Sequence, residues 1–185
     1  MPSNPVCYGR GMRWFHWGMF ALVVLAYLGA NLHGVLPRGS AARANVLAGH
    51  FLAGIAVFLL VWPRIWLRFK GGVPPIHPPL NPWLRGLSGL THLALYAFLV
   101  VQPLLGFVTA QYTGKKIGLF GITVIPQWVT VDNDFGHRLE DVHVFVADLF
   151  YWIIGLHILA ALWHHYVTRD DTLVRMLPPR GEDAG

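Results

Sequence analysis

The sequence predicts an all-α integral membrane protein, a bundle of four helices. Three observations carry that reading: the composition, four apolar runs of spanning length, and turn chemistry between them. Of 185 residues, 55% are hydrophobic, 14% aromatic and only 12% charged, and the mean hydropathy is +0.48. A water-soluble domain of this length has no interior large enough to hide that much apolar surface. The runs lie at 14–33, 46–67, 87–109 and 140–167. Each is close to or above the roughly 20 residues that about 30 Å of hydrocarbon demands at 1.5 Å per residue. Residues 1–185 are read as one transmembrane domain, with no room for a second, catalytic one.

The first run follows Arg10 and Arg13. It is long, carries His16 and lacks a small-residue cleavage site, so it reads as a retained span rather than a signal peptide. Pro37, Gly39 and Ser40 separate it from the second run, GGVPPIHPPLNP at 71–82 separates the second from the third, and YTGKKIGLFGITVIPQ at 112–127 separates the third from the fourth. All three are rich in turn formers. Pro103 inside the third run predicts a kink. Trp14, Trp17, Trp62 and Trp66 match the aromatic belts of membrane interfaces.

One cysteine, Cys7, excludes an internal disulfide framework, a CxxCH haem attachment and a cysteine-ligated iron–sulfur cluster within this chain. The net charge of +5 does not point to nucleic acid, because the arginines punctuate apolar runs and form no stripe with interleaved aromatics. The charge reads as topology. Nine of the fourteen basic residues (Arg10, Arg13, Arg64, Arg68, Lys70, Arg85, Arg169, Arg175 and Arg180) fall in the N-terminus, the 64–86 connection and the C-terminal tail. The other two loops hold Arg38, Arg43, Lys115, Lys116 and Arg138. Positive residues favour the cytoplasmic side, so both termini are expected there.

That orientation sets the depth of the histidines. His16 falls near the inner end of the first helix, His50 near the outer end of the second, and the fourth helix carries His143 near the outer face and His157 nearer the inner one. Fourteen residues are almost four helical turns, so His143 and His157 share a face about 21 Å apart along the axis. They cannot hold one metal ion. Matched by depth, His50 faces His143 and His16 faces His157. Intramembrane ionisable residues are costly and mark function. A group clamped between imidazoles on opposing helices is what a b-type haem needs, with two neutral nitrogen ligands, an apolar slot and no covalent attachment. Two haems b are therefore expected. Gly54 and Gly155 would leave room beside the ligands, or simply allow tight helix packing.

The remaining polar residues carry weaker expectations. His164 shares the face of His157 and is its rival as a ligand, while the ordinary reading of His164 and His165 is an interfacial anchor beside Tyr166. His92 is a candidate for contact with a haem propionate or a quinone, beside the plain alternative of an interhelical hydrogen bond. His33, His77 and His137 lie in or beside loops and are assigned nothing. Asp148 lies about 140° around the helix from His143, facing another surface, with a proton role or a bond to a neighbouring helix as its readings.

RWFHWGMFALVVLAYLGA at 13–30, HFLAGIAVFLLVWPRIWLRF at 50–69, LTHLALY at 90–96 and IIGLHILAALWHHYVTRDDTLVRMLP at 153–178 together resemble the bacterial cytochrome b561 family of four-helix dihaem quinone oxidoreductases. The last stretch is the most specific, completing an H-x13-H pair that begins at His143 and continuing into HHY and D-x-T-L-x-R-M. The resemblance covers nearly the whole chain. It implies ligands on helices one, two and four, hence His16, His50, His143 and His157, and a place in the bacterial inner membrane with lipid and quinone as partners. It also implies an electron donor, since some members are superoxide oxidases that pass the electron of superoxide to ubiquinone. Arg38, Arg43, Lys115 and Lys116 on the outer loops would then gather a small anion, or else anchor lipid headgroups and neutralise propionates. The alternative implied function is an electron-transfer subunit docked to a hydrogenase-like or dehydrogenase-like protein partner. A histidine-lined metal transporter is a third class, for which the spans hold too few acids.

Overall fold

The computed structural model describes residues 7–119 and 122–178. Arg180, counted above toward topology, lies outside the described residues. Four long helices are present, all long and apolar enough to cross a membrane. They are α1 (Arg10–Val35), α2 (Ala41–Gly71), α3 (Pro82–Tyr112) and α4 (Asn133–Trp163). At 26 residues for α1 and 31 for each of the others, they outrun the apolar segments that announced them. A 31-residue helix is about 46 Å long. That exceeds the hydrocarbon thickness, so the capped ends reach the interfaces.

Those ends are built by capping residues. The Ser40 hydroxyl accepts from the Arg43 amide, the Asn81 side chain from the Leu84 amide with Pro82 at the first helical position, and the Asp132 carboxylate from the Phe135 amide. Each satisfies a donor that has no partner within its helix. Gly72, at φ 68°, ends α2 in a left-handed conformation open to glycine at little cost. Pro63 and Pro103 sit inside continuous helices.

α1 packs most extensively on α2, and α3 on α4. Met19, Val57 and Val61 form the buried centre of the first pair, with Tyr96 and Leu99 of α3 packed against them. Phe98 and Phe150 stack at 4.1 Å between α3 and α4, halfway between His143 and His157 along the chain. The outward faces keep large apolar side chains exposed, among them Leu93, Trp152 and Leu156. In a bilayer those faces meet lipid, which explains why so few residues are buried in a chain this apolar. Trp14, Trp17, Trp62 and Trp66 are exposed, as a lipid-facing belt requires.

The 112–127 connection, read from sequence as a loop, folds into a two-stranded antiparallel hairpin, β1 (Ile117–Leu119) and β2 (Ile122–Ile125), with Ile117 opposite Ile125. Its strands are too short to show a reliable alternation. Gln111 fastens it, donating to the Pro126 carbonyl at 3.2 Å and accepting from the Trp128 amide at 2.8 Å. At the other end of the bundle, α4 runs into a π-turn at His164–Thr168, and the chain folds back over the N-terminus. Tyr8 donates its amide to the Arg175 carbonyl at 3.0 Å, and the Trp17 indole donates to Met176 at 2.8 Å. Backbone and side-chain bonds between His77 and Asp171 bring in the 72–81 connection. The bundle thus has a hairpin end and an end holding both termini.

Candidate functional site

The two histidine pairs expected from depth are each brought together across the bundle. At the hairpin end, His50 of α2 and His143 of α4 have ring centroids 6.2 Å apart. At the termini end, His16 of α1 and His157 of α4 are 6.5 Å apart. An iron held between two imidazole nitrogens at about 2 Å each, with each nitrogen about 1 Å from its ring centre, sets the centroids about 6 Å apart. Both pairs meet that requirement.

The hairpin-end pair is held by its surroundings. His50 Nδ1 lies 2.7 Å from the Ala26 carbonyl oxygen of α1. A carbonyl only accepts, so Nδ1 carries the proton and Nε2 keeps its lone pair for a metal. Gly29 permits this approach, since a Cβ there would meet His50 Cβ at 3.1 Å and the Val46 carbonyl at 3.3 Å. His143 presses the Cε1 side of its ring on Gly106 of α3, where a Cβ would come within 2.8 Å of that atom. Gln102 donates from Nε2 to the His143 carbonyl at 2.8 Å, fixing the helix turn that bears His143. His143 Nδ1, Gln102 Oε1 and Thr109 Oγ1 are buried without a protein partner. The donor set and the glycine cradle fit a bis-imidazole haem.

The termini-end pair is more crowded. All four helices contribute: His16, Arg64, His92 and His157. His92 is 5.5 Å from His157, so His157 faces two imidazoles. His92 donates from Nδ1 to the Ser88 carbonyl of its own helix at 2.7 Å, the ordinary intrahelical bond rather than an interhelical one. His16 Nδ1 accepts from Arg64 Nη2 at 3.0 Å, because a guanidinium can only donate. That fixes the neutral His16 ring with its proton on Nε2. His16 therefore has the right position and the wrong tautomer for binding iron through Nε2 as it stands.

His164, the rival to His157, is engaged elsewhere. Its Nδ1 lies 2.5 Å from Asp170 Oδ2, inside the π-turn. Burial alone would raise the Asp170 carboxyl, but hydrogen bonds from Thr172 and His164 outweigh it and hold the group below the ordinary carboxylate range. Asp170 is thus an anion at neutral pH, and His164 caps the end of α4 through it. Among the described residues, the ring contacts of His157 are with His16 and His92.

Gly54 and Gly155 are not the close approaches anticipated. A Cβ at Gly54 would touch only Pro103 at 4.0 Å, and one at Gly155 would meet nothing within 4 Å. Asp148 is exposed on the bundle surface near Tyr27. His137, expected in or beside a loop, lies in α4 and reaches Glu140 at 3.3 Å. Of the cations at the hairpin end, Arg38 and Lys116 are exposed. Arg43 donates to the Leu36 carbonyl at 2.8 Å, and Lys115 is paired with Glu140 at 2.5 Å.

Residues 7–179 match the family described as Prokaryotic cytochrome b561. Among curated proteins, cytochrome b561 homolog 1 of Escherichia coli (strain K12) is 33% identical over 173 residues, 94% of this chain and 98% of that one. A probable superoxide oxidase, CybB of Yersinia pestis, is 33% identical over 165 residues, 89% of this chain and 92% of its own. Cytochrome b562 of Cereibacter sphaeroides is 30% identical over 181 residues, covering 94% and 96%. A four-helix membrane bundle with facing histidines, matched over nearly its whole length, places the chain in the prokaryotic cytochrome b561 family of haem-binding, electron-transferring membrane proteins.

Proposed function

We propose that the protein is a dihaem oxidoreductase that moves electrons from a one-electron donor outside the bacterial inner membrane to quinone within it, with superoxide as the donor. The observation that carries this reading is the pair of cross-bundle histidine couples, at 6.2 and 6.5 Å, at opposite ends of one bundle. His50 and His143 hold one haem b and His16 and His157 the other. Such a haem carries single electrons and leaves no iron position for oxygen. The residues around it supply the rest, namely ligand orientation from Ala26 and Gln102, and exclusion of water by the apolar faces of α1 to α4. The balance is simple. Two superoxide ions each release one electron and become oxygen, and a quinone takes both electrons with two protons.

The basic residues of the termini end support a cytoplasmic location for both termini, which leaves the hairpin end outside. The first test is stoichiometric. Purified protein is expected to hold two non-covalent, low-spin haems b per chain by haem extraction and a reduced-minus-oxidised spectrum. A ratio near one would break the paired assignment.

Superoxide as donor is supported by the similarity to the Yersinia pestis relative, named a probable superoxide oxidase, and by the cations of the hairpin end. Lys115 is paired with Glu140, so Arg38 and Lys116 are taken as the exposed cations of this end on which attraction of an anion is tested. Replacing both with glutamine is expected to slow haem reduction by superoxide several-fold at low salt and to flatten its ionic-strength dependence, since steering beyond about 8 Å is screened at physiological salt. Haem content should not change. A wild-type protein that superoxide does not reduce would favour the other reading, an electron-transfer subunit docked to a dehydrogenase-like partner.

A further inference from the structure

Arg64 and Arg68 of α2 stand at the termini end with their guanidinium carbons 5.2 and 5.6 Å from the centre of the same ring, Tyr96 of α3. Arg64 is the deeper of the two, at the level of His16. It donates to His16 Nδ1 at 3.0 Å and turns Nη1 toward the weak acceptor Met19 Sδ at 3.8 Å; Nε–H is buried without a well-formed hydrogen bond, and Tyr96 is the remaining polar group that the guanidinium meets. Its electrostatic neighbours are Arg68 and two tyrosines, Tyr96 and Tyr8. Among the described residues, no carboxylate forms a salt bridge with either arginine, and the described acids at this end, Asp170 and Asp171, are committed to His164 and Arg175. A guanidinium within a membrane span is costly unless a counter-charge meets it. Here two of them share one aromatic ring and have no carboxylate between them among the described residues.

The same arginine stands in the way of ligation. While Arg64 occupies His16 Nδ1, the remaining proton of the neutral ring sits on Nε2, and neither nitrogen offers a free lone pair. For His16 to bind iron, Arg64 must leave it. A carboxylate would draw it away, since an Arg–carboxylate contact is charge-assisted and bidentate whereas the contact with imidazole is single.

We infer that Arg64, backed by Arg68, is the binding site for a carboxylate of the haem at the termini end, and that by moving from His16 to that carboxylate it frees His16 as a ligand. This rests on the proposed ligation of that haem by His16 and His157. It makes Arg64 a positioning residue that couples anchoring of the macrocycle to the tautomer of its ligand.

The test uses full-length protein refilled either with haem b or with its dimethyl ester, which has no carboxylate. Loss to excess apomyoglobin is followed for each haem, and the hairpin-end haem is the control for folding. In the unmodified protein the ester is expected to leave the termini end about tenfold faster than haem b. Arg64→Met is expected to lose haem b about tenfold faster too, and to show no further acceleration with the ester, because the interaction is already gone. Arg64→Lys should fall between. The midpoint potential of that haem should drop in Arg64→Met, because removing a nearby positive charge favours the oxidised state. Independent, additive effects of ester and substitution, or an unchanged rate and potential in Arg64→Met, would overturn the inference. His16→Ala separates the two levels. If it keeps the termini-end haem, the ligand assignment itself fails; if it loses that haem while Arg64→Met behaves as unmodified protein, only the role of Arg64 fails.

Discussion

His50→Ala is expected to yield a protein with one haem instead of two, the survivor being that of the termini end, and His16→Ala is expected to give the converse. The two couples share α4 but lie almost four turns apart on it, about 21 Å. Sites that far apart without common partners behave additively. His50 is held by Ala26 and Gly29 of α1, and His16 by Arg64 of α2, so no contact links the two losses. Were the haems held as proposed, removing one histidine of a couple would leave its partner alone to hold the group, and the apolar slot without its anchor. The spectroscopic signature is loss of one low-spin component in redox titration. The termini end offers a sharper contest, since His157 faces His92 at 5.5 Å as well as His16 at 6.5 Å. His92→Ala is expected to retain both haems, because the family resemblance puts the ligands on helices one, two and four, although the bond from Nδ1 to the Ser88 carbonyl leaves His92 Nε2 as free for a metal as that of His50. If His92→Ala removes the haem and His16→Ala does not, the ligand is His92.

The four spans and both histidine couples were legible in the sequence for related reasons. Apolar length reports spanning directly, and in a four-helix bundle of alternating direction, depth along one helix predicts depth along its neighbours. His143 and His157 were therefore sufficient to find His50 and His16. Lateral arrangement was not legible. Which glycine meets which ring depends on helix rotation, so Gly54 and Gly155 were singled out while the tight contacts belong to Gly29 and Gly106. Arg64 read as a loop-side charge favouring a cytoplasmic location, yet it is directed inward at His16, 48 residues away. His164 was a plausible ligand on its helical face. Only the turn after α4 shows that Asp170 captures it, and that turn is a π-turn closed by Arg169 at φ 56°, a residue with no propensity for a left-handed backbone. The hairpin at 117–125 is stabilised by the side chain of Gln111, which no local pattern announces.

Gly106→Ala separates haem binding from stability more cleanly than any ligand substitution. Glycine in a helix interior costs about 1 kcal/mol relative to alanine, so the change favours α3 taken alone. Against this, the new Cβ would lie 2.8 Å from His143 Cε1, 3.2 Å from Nδ1 and 3.5 Å from Nε2. The first distance is not tolerated, and the neighbour is a ring rather than the free end of a flexible chain. Overpacking of this kind costs about 1–3 kcal/mol. The two terms nearly offset, and the fold should survive with its thermal midpoint moved by only a few degrees. The ring cannot stay where it is, however. His143 cannot yield by sliding along its helix, because Gln102 grips its carbonyl at 2.8 Å, so the imidazole must rotate away from Gly106. Rotation spoils the facing of His143 and His50 at 6.2 Å on which clamping at the hairpin end depends. The expected outcome is a stable protein with one haem, that of the termini end, and with the same visible spectrum as His50→Ala. Gly89→Ala, also in α3 and with nothing within 4 Å of an added Cβ, should keep both haems. If Gly106→Ala keeps two haems at unchanged potentials, then the ring of His143 is not an iron ligand in the position it holds here.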